Sequence, residues 1–190
     1  MNTYLVLLRG INVGGKNIVP MTRLKQCLED LGFSNVSTFI ASGNVIFESR
    51  QLVSDIRTQL EAALIKNFTL DSDLIKVLVL NRKQLEAVVE HKPTSFGEQP
   101  NKYYSDVIFL MDIDVAQAMP IFNPREGVDK VWPGQGVVYS QRLSALRTKS
   151  RLNKIMTSPL YKSMTIRSWN TTTKLLNILK EMDTRKKVAP

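Results

Sequence analysis

Short apolar runs, separated by amphipathic stretches and by glycine or proline, recur along this chain in one order. Thr3 to Arg9 ends at Gly10 and reads as a buried strand. Pro20 suits the first turn of a helix whose stripe is Met21, Leu24, Leu28 and Leu31, and Gly32 stops it. Val36 to Ile40 and Val45 to Glu48 read as two strands around Ala41-Ser42-Gly43-Asn44, a hairpin signal. Leu52 to Asn67 is a second helix through Ile56, Leu60, Ala63 and Leu64, and Ile75 to Leu80 is another strand. Strand, helix, strand, strand, helix, strand is the order of a split βαβ unit.

The order then repeats. Asn81 to Glu90 is a linking helix capped by Asn81, and His91 to Ser105 is a polar loop. Asp106 to Met111 is a strand, and Val115 to Met119 a short helical piece. Val128 to Trp132 and Val137 to Ser140 form a hairpin, Ser150 to Thr157 a helix, and Met164 to Arg167 a strand. A final helix over Thr171 to Met182 adds a leucine-rich face. The expectation is an α+β fold with two ferredoxin-like βαββαβ subdomains packed together and an extra C-terminal helix. Residues 1–80 form the first subdomain and 81–105 the link. Residues 106–183 form the second subdomain, and 184–190 a flexible basic tail.

Composition narrows the chemistry. One cysteine, Cys27, excludes an intrachain disulfide and any multi-thiolate metal site. One histidine, His91, removes most zinc chemistry. No metal and no cofactor are expected. No apolar run reaches a membrane span, and Met1-Asn2-Thr3-Tyr4 lacks a secretory pattern, so a cytoplasmic protein is expected. The net charge of +9 is unevenly placed. Residues 1–140 carry 14 basic and 15 acidic side chains; residues 141–190 carry 12 and 2. Residues 141–180 contain no acid at all. Such asymmetry points to a partner bearing phosphates, either nucleic acid or a phosphorylated small molecule; a solvated basic face is the alternative.

Three segments carry the polar signals. Arg9-Gly10-Ile11-Asn12-Val13-Gly14-Gly15-Lys16-Asn17 satisfies most of a phosphate-binding P-loop pattern and follows a strand. Asn17 stands where that loop needs Ser or Thr, Pro20 starts the helix too late, and the sheet is not parallel. The loop is therefore read as an anion-binding turn or a bare crossover. Ser42-Gly43-Asn44 either orients a ligand or holds a tight turn. In Arg167-Ser168-Trp169-Asn170, with Lys174 beyond, Asn170 reads as the N-cap of the last helix. There Arg167 would meet phosphate, and Trp169 would stack a base or anchor the core. Catalysis finds little support. His91 lies in a polar loop without a nucleophile signature, and Cys27 borders a core stripe.

These residues resemble a family. Leu7-Leu8-Arg9-Gly10-Ile11-Asn12-Val13-Gly14-Gly15, Gly32-Phe33 with Val36 to Phe47, and Ile166-Arg167-Ser168-Trp169-Asn170-Thr171 with Lys174-Leu175 are similar to the three blocks of a mainly bacterial family, domain of unknown function 1697. Ser168 stands where that family commonly has Asn. The resemblance implies an α+β fold with ferredoxin-like subdomains and carries no activity with it.

The leading reading is a non-catalytic binding protein for a phosphate-bearing ligand, nucleic acid or nucleotide. Its ligand-binding residues would be Arg9, Asn12, Gly14, Gly15, Lys16, Ser42, Asn44, Arg167, Trp169, Asn170 and Lys174. One alternative is a small-molecule enzyme with its site between the subdomains. Another is a structural or protein-interaction domain in which the same residues only hold turns.

Overall fold

The computed structural model describes residues 1–70 and 75–188. Two four-stranded antiparallel sheets carry the fold. The chain divides into two compact units, Met1–Leu85 with Leu175–Pro190, and Glu86–Lys174.

In the first unit β1 (Asn2–Arg9) lies between β3 (Asn44–Ser49) and β4 (Lys76–Asn81), and β2 (Ser34–Phe39) pairs with β3 at the edge. Alternation sets the faces. Tyr4, Val6 and Leu8 join Val45, Phe47, Val77 and Val79 under two helices. α1 (Met21–Asp30) contributes Leu24 and Leu28, and α2 (Val53–Asn67) contributes Ile56, Leu60 and Leu64. α1 ends as its glycine demands. Gly32 takes φ +84°, its amide donates to Glu29 O, and the Phe33 amide donates to Leu28 O, closing a Schellman motif. Phe33 then stacks on Phe47 at 4.2 Å between ring centroids.

In the second unit β5 (Tyr103–Leu110) lies between β7 (Val137–Leu143) and β8 (Met164–Ser168), with β6 (Asp129–Pro133) at the edge. Ile108, Leu110, Val138 and Met164 face a core with Ala118 and Phe122. The link helix is α3 (Arg82–Glu90); Asn81 and Gln84 cap it reciprocally, at 3.0 and 2.9 Å. α4 (Val115–Ala118) starts on a like pair, Asp114 with Gln117.

Three expectations need correction. β5 begins at Tyr103, not Asp106, because the Tyr103 and Tyr104 pairings with Leu143 and Arg142 extend the ladder. The expected helix at Ser150 to Thr157 is absent. Ser144–Lys149, Leu152–Thr157 and Pro159–Ser163 are short 3-10 turns, since the segment lacks a continuous apolar stripe and Pro159 interrupts it. Of the flexible basic tail expected at 184–190, residues 184–188 continue α5 (Trp169–Val188), and 189–190 lie outside the described residues. From Leu175 that helix groups with the first unit, burying Leu175, Leu176 and Leu179. There Asp183 accepts from Thr3 Oγ1 at 2.9 Å and pairs with Arg82 at 2.9 Å. Among the described residues no helix is long and apolar enough to cross a membrane.

Candidate functional site

The glycine loop of the first unit is a miniature hairpin. Val13 and Lys16 form a β-bridge, and Gly14 (φ +58°) and Gly15 (φ +74°) occupy the two central positions. Two consecutive positive φ angles are what a tight two-residue hairpin turn requires. The Lys16 amide donates to Val13 O at 3.0 Å to close the turn, and the Asn12 amide donates to Asn17 O at 3.0 Å, while the tip stands in solvent with Val13, Gly14, Gly15 and Lys16 exposed.

The asparagines around it are structural braces. The Asn12 amide group donates to Val19 O at 3.0 Å and Ala41 O at 2.8 Å, while its oxygen accepts from Val19 N at 2.8 Å. One side chain therefore sews the glycine loop to the Ser42-Gly43-Asn44 turn. Asn17 donates to Gly10 O at 2.8 Å. Asn44 is fully buried and donates to Phe39 O and to Ser42 Oγ. Gly43 has φ +76°, and a Cβ there would lie 2.8 Å from Leu8 Cβ. Its carbonyl receives the Leu8 amide at 2.8 Å. Only glycine meets both demands.

The remaining expected residues are placed as follows. Arg9 is buried at the end of β1. Arg167 is buried in β8, and its guanidinium donates to Thr165 Oγ1 and Ile166 O, each at 2.8 Å. Burial lowers its pKa to about 10, so it stays cationic at neutral pH. Its donors turn inward, not toward a solvent phosphate as the sequence suggests. Ser42 is exposed at its turn, and Lys174 is exposed on α5. Asn170 does not cap α5. Ser168 Oγ accepts the Thr171 amide at 3.2 Å, leaving Asn170 exposed in the first turn.

The second unit gathers Trp169 and Asn170 with side chains that the sequence did not single out. A cavity of about 490 Å³ is lined by Tyr103, Tyr104, Ser105, Asp106, Trp169 and Asn170, among others. Trp169 is fixed from behind. Phe96, fully buried in the His91 to Lys102 loop, meets Trp169, Tyr139 and Trp132 edge-on, at 5.2, 5.2 and 6.0 Å. Gly97 lies so close that a Cβ would fall 2.1 Å from Trp169 Cδ1.

Asp106 is the cavity's charged lining residue. Desolvation by burial raises its pKa, and the Arg142 guanidinium opposes that rise. Arg142 Nη2 donates to Asp106 Oδ2 at 3.3 Å, Nη1 donates to Asn153 Oδ1 at 3.0 Å, and the guanidinium lies 5.9 Å from the Tyr104 ring centre. This side chain links the cavity to the Leu152–Thr157 turn. The adjacent tyrosines were the available signal, but they fall in a segment whose polarity suggests a loop, and Asp106 reads as no more than a strand start.

The Leu152–Thr157 turn belongs to the acid-free stretch. Arg147, Lys149, Lys154 and Lys162 are all exposed on the three 3-10 turns. Asp129 anchors the turns from below. Its Oδ2 accepts the Arg125 and Arg151 amides at 3.0 and 2.9 Å, while its buried Oδ1 has no partner among the described residues.

The two residues most often enlisted in catalysis are otherwise occupied. Cys27 is half-buried, with its pKa raised by desolvation first and by Asp30 second, so the unreactive thiol is favoured. His91 Nδ1 lies 2.9 Å from Ala87 O on the same helix end. Among the described residues, no three His, Cys, Asp or Glu side chains gather as a metal site.

No curated protein matches the sequence. Among solved structures, conserved bacterial protein SP0830 from Streptococcus pneumoniae matches with a TM-score of 0.79 and 27% identity, over 94% of this chain and 98% of that one. A family model described as "Protein of unknown function (DUF1697)" matches residues 1–139, spanning the glycine hairpin, its asparagine braces and β5 with its paired tyrosines; the chain belongs to that family.

Proposed function

We propose that this protein binds a phosphate-bearing ligand, a single-stranded nucleic acid or a nucleotide, through its second unit and without catalysing a reaction on it. The observation that carries this reading is the exposure of Arg147, Lys149, Lys154 and Lys162 on turns with no acidic residue in their stretch. Lys and Arg side chains that neutralise phosphates release counterions, which supplies a sequence-independent affinity. Lys174 adds a charge on α5, one helical turn after Asn170 and on the same face. Lys16 is a further exposed cation, at the hairpin tip of the first unit. The buried Arg9 and Arg167 and the bracing Asn12 and Asn44 have no part in the contact.

The test is fluorescence anisotropy with a labelled single-stranded oligonucleotide at several salt concentrations. Four contacts predict a slope of about −3 in log affinity against log salt. Replacing Arg147, Lys149, Lys154 and Lys162 together with Ala should flatten that slope. No saturable binding at low salt, or an unchanged slope in the quadruple variant, would overturn the reading.

A further inference from the structure

We propose that Val13, Ile18 and Ile40, exposed together on the loops of the first unit, form a docking surface for a partner protein segment whose apolar side chains are flanked by carboxylates. This surface belongs to the first unit and does not depend on the cationic turns of the second.

Val13 is 67% exposed, Ile18 58% and Ile40 52%. Exposed aliphatic residues scattered singly are ordinary, whereas several in one place mark an interaction surface. Asn12 puts these three in one place. Its side chain donates to Val19 O at 3.0 Å and to Ala41 O at 2.8 Å. Val19 and Ala41 are the chain neighbours of Ile18 and Ile40, and Val13 follows Asn12 itself. The glycine loop and the turn after β2 are thereby pinned to each other. The surface exists before a partner arrives, so docking orders little chain.

Ile40 is also strained. Its φ is +50°, in the left-handed region, where a β-branched side chain is an outlier and Asn or Gly is at ease. Burial would offset that strain, but half of this side chain stands in water. The free fold gains little from isoleucine at this position, and a partner that covers the side chain supplies the missing burial.

Charge sets the partner's chemistry. Residues 9–28 carry four basic side chains and no acid, and residues 31–47 carry no charge at all. Lys16 stands exposed at the hairpin tip, bridged to Val13. Carboxylates beside apolar side chains complement that arrangement. In a two-fold contact, a second copy of this chain would set two such positive tips against each other. An anionic lipid surface finds one lysine at the tip, with Val and Ile in place of the Trp and Phe that favour the headgroup region.

The test is selection of a displayed random-peptide library on the immobilised full chain, followed by anisotropy titration of the selected peptides. They should carry Asp or Glu beside Leu, Ile, Phe or Trp. Ile40→Asn removes the aliphatic side chain and places there a residue that tolerates the left-handed region. It should leave the urea midpoint unchanged or raised, while weakening the peptides roughly tenfold or more. Val13→Ser should weaken them by a smaller factor, and Lys16→Glu should select against the acidic peptides. Selection without an acidic and apolar pattern, or affinities unchanged in both Ile40→Asn and Val13→Ser, would overturn the proposal. Two measurements on the unaltered chain would overturn it by naming another occupant. Dimerisation in sedimentation velocity that Ile40→Asn abolishes would assign the surface to a second copy. Flotation with phosphatidylserine vesicles that Ile40→Asn abolishes would assign it to lipid.

Discussion

The glycine loop of the first unit and the segments around the Trp169 cavity of the second unit are alike in composition. Each mixes Gly, Asn and a basic residue within a short reach of chain. In three dimensions they differ in where the polar capacity goes. Asn12 and Asn44 spend theirs on backbone carbonyls and on the neighbouring turn. Asp106 keeps an oxygen that no protein donor among the described residues reaches, and Asn170 stands exposed once Ser168 takes over the cap. A recurrent polar motif is thus a guide to function only after its hydrogen bonds have been counted.

The comparison is broken most strongly in the first unit. Gly43→Ala forces a Cβ to 2.8 Å from Leu8 Cβ at φ +76°. It should lower unfolding free energy by about 2–4 kcal/mol. Asn44→Ala removes two buried hydrogen bonds and should cost about 1–3 kcal/mol. Urea denaturation followed by circular dichroism measures both. Oligonucleotide affinity of the folded fraction should stay at the wild-type value for each. A variant that loses affinity at unchanged stability would make this turn part of the binding surface.

Most of the fold was legible because the strands and long helices repeat their apolar residues at simple periods. Leu24 and Leu28, or Tyr4, Val6 and Leu8, can be assigned to a core before any coordinates exist. The 3-10 turns over 144–163 were not legible, since Leu152 and Ile155 alone fit a helix as well as a turn. The candidate site was half legible. Trp169 stood out as an aromatic beside a helix start. Asp106 did not, because its meaning depends on Arg142, which is distant in sequence and placed opposite Tyr104 by the β5–β7 register. Register of this kind is a tertiary fact that no local window carries.

The second unit offers a milder perturbation. Gly97→Ala would put a methyl 2.1 Å from Trp169 Cδ1, and the indole must move. Its φ of +76° adds strain of its own. The expected result is a loss of about 1–3 kcal/mol in stability and a shifted tryptophan emission, read in the Trp132→Phe background. The salt slope for oligonucleotide binding should stay unchanged, since the exposed cations lie on the 3-10 turns. An unshifted emission would mean that the indole is not held by Gly97 and Phe96.

The smallest effect is electrostatic. Asp106 has its pKa raised mainly by burial, so the folded protein holds that proton more tightly than the unfolded chain does. Stability from this group is therefore greatest at low pH. It falls as pH rises from the unfolded carboxyl value of about 3.9 through the raised folded value. Arg142 attracts the charged form and limits the fall without reversing it. Asp106→Asn removes the titration. The variant's stability relative to wild type should therefore rise between acid and neutral pH, where an ordinary ion-paired carboxylate would give the opposite sign. Urea midpoints for both proteins, measured from about pH 3.5 to 7.5, provide the difference. A variant that loses relative stability toward neutrality would mean that Arg142 dominates. The carboxylate would then be held in its charged form as part of an ion pair.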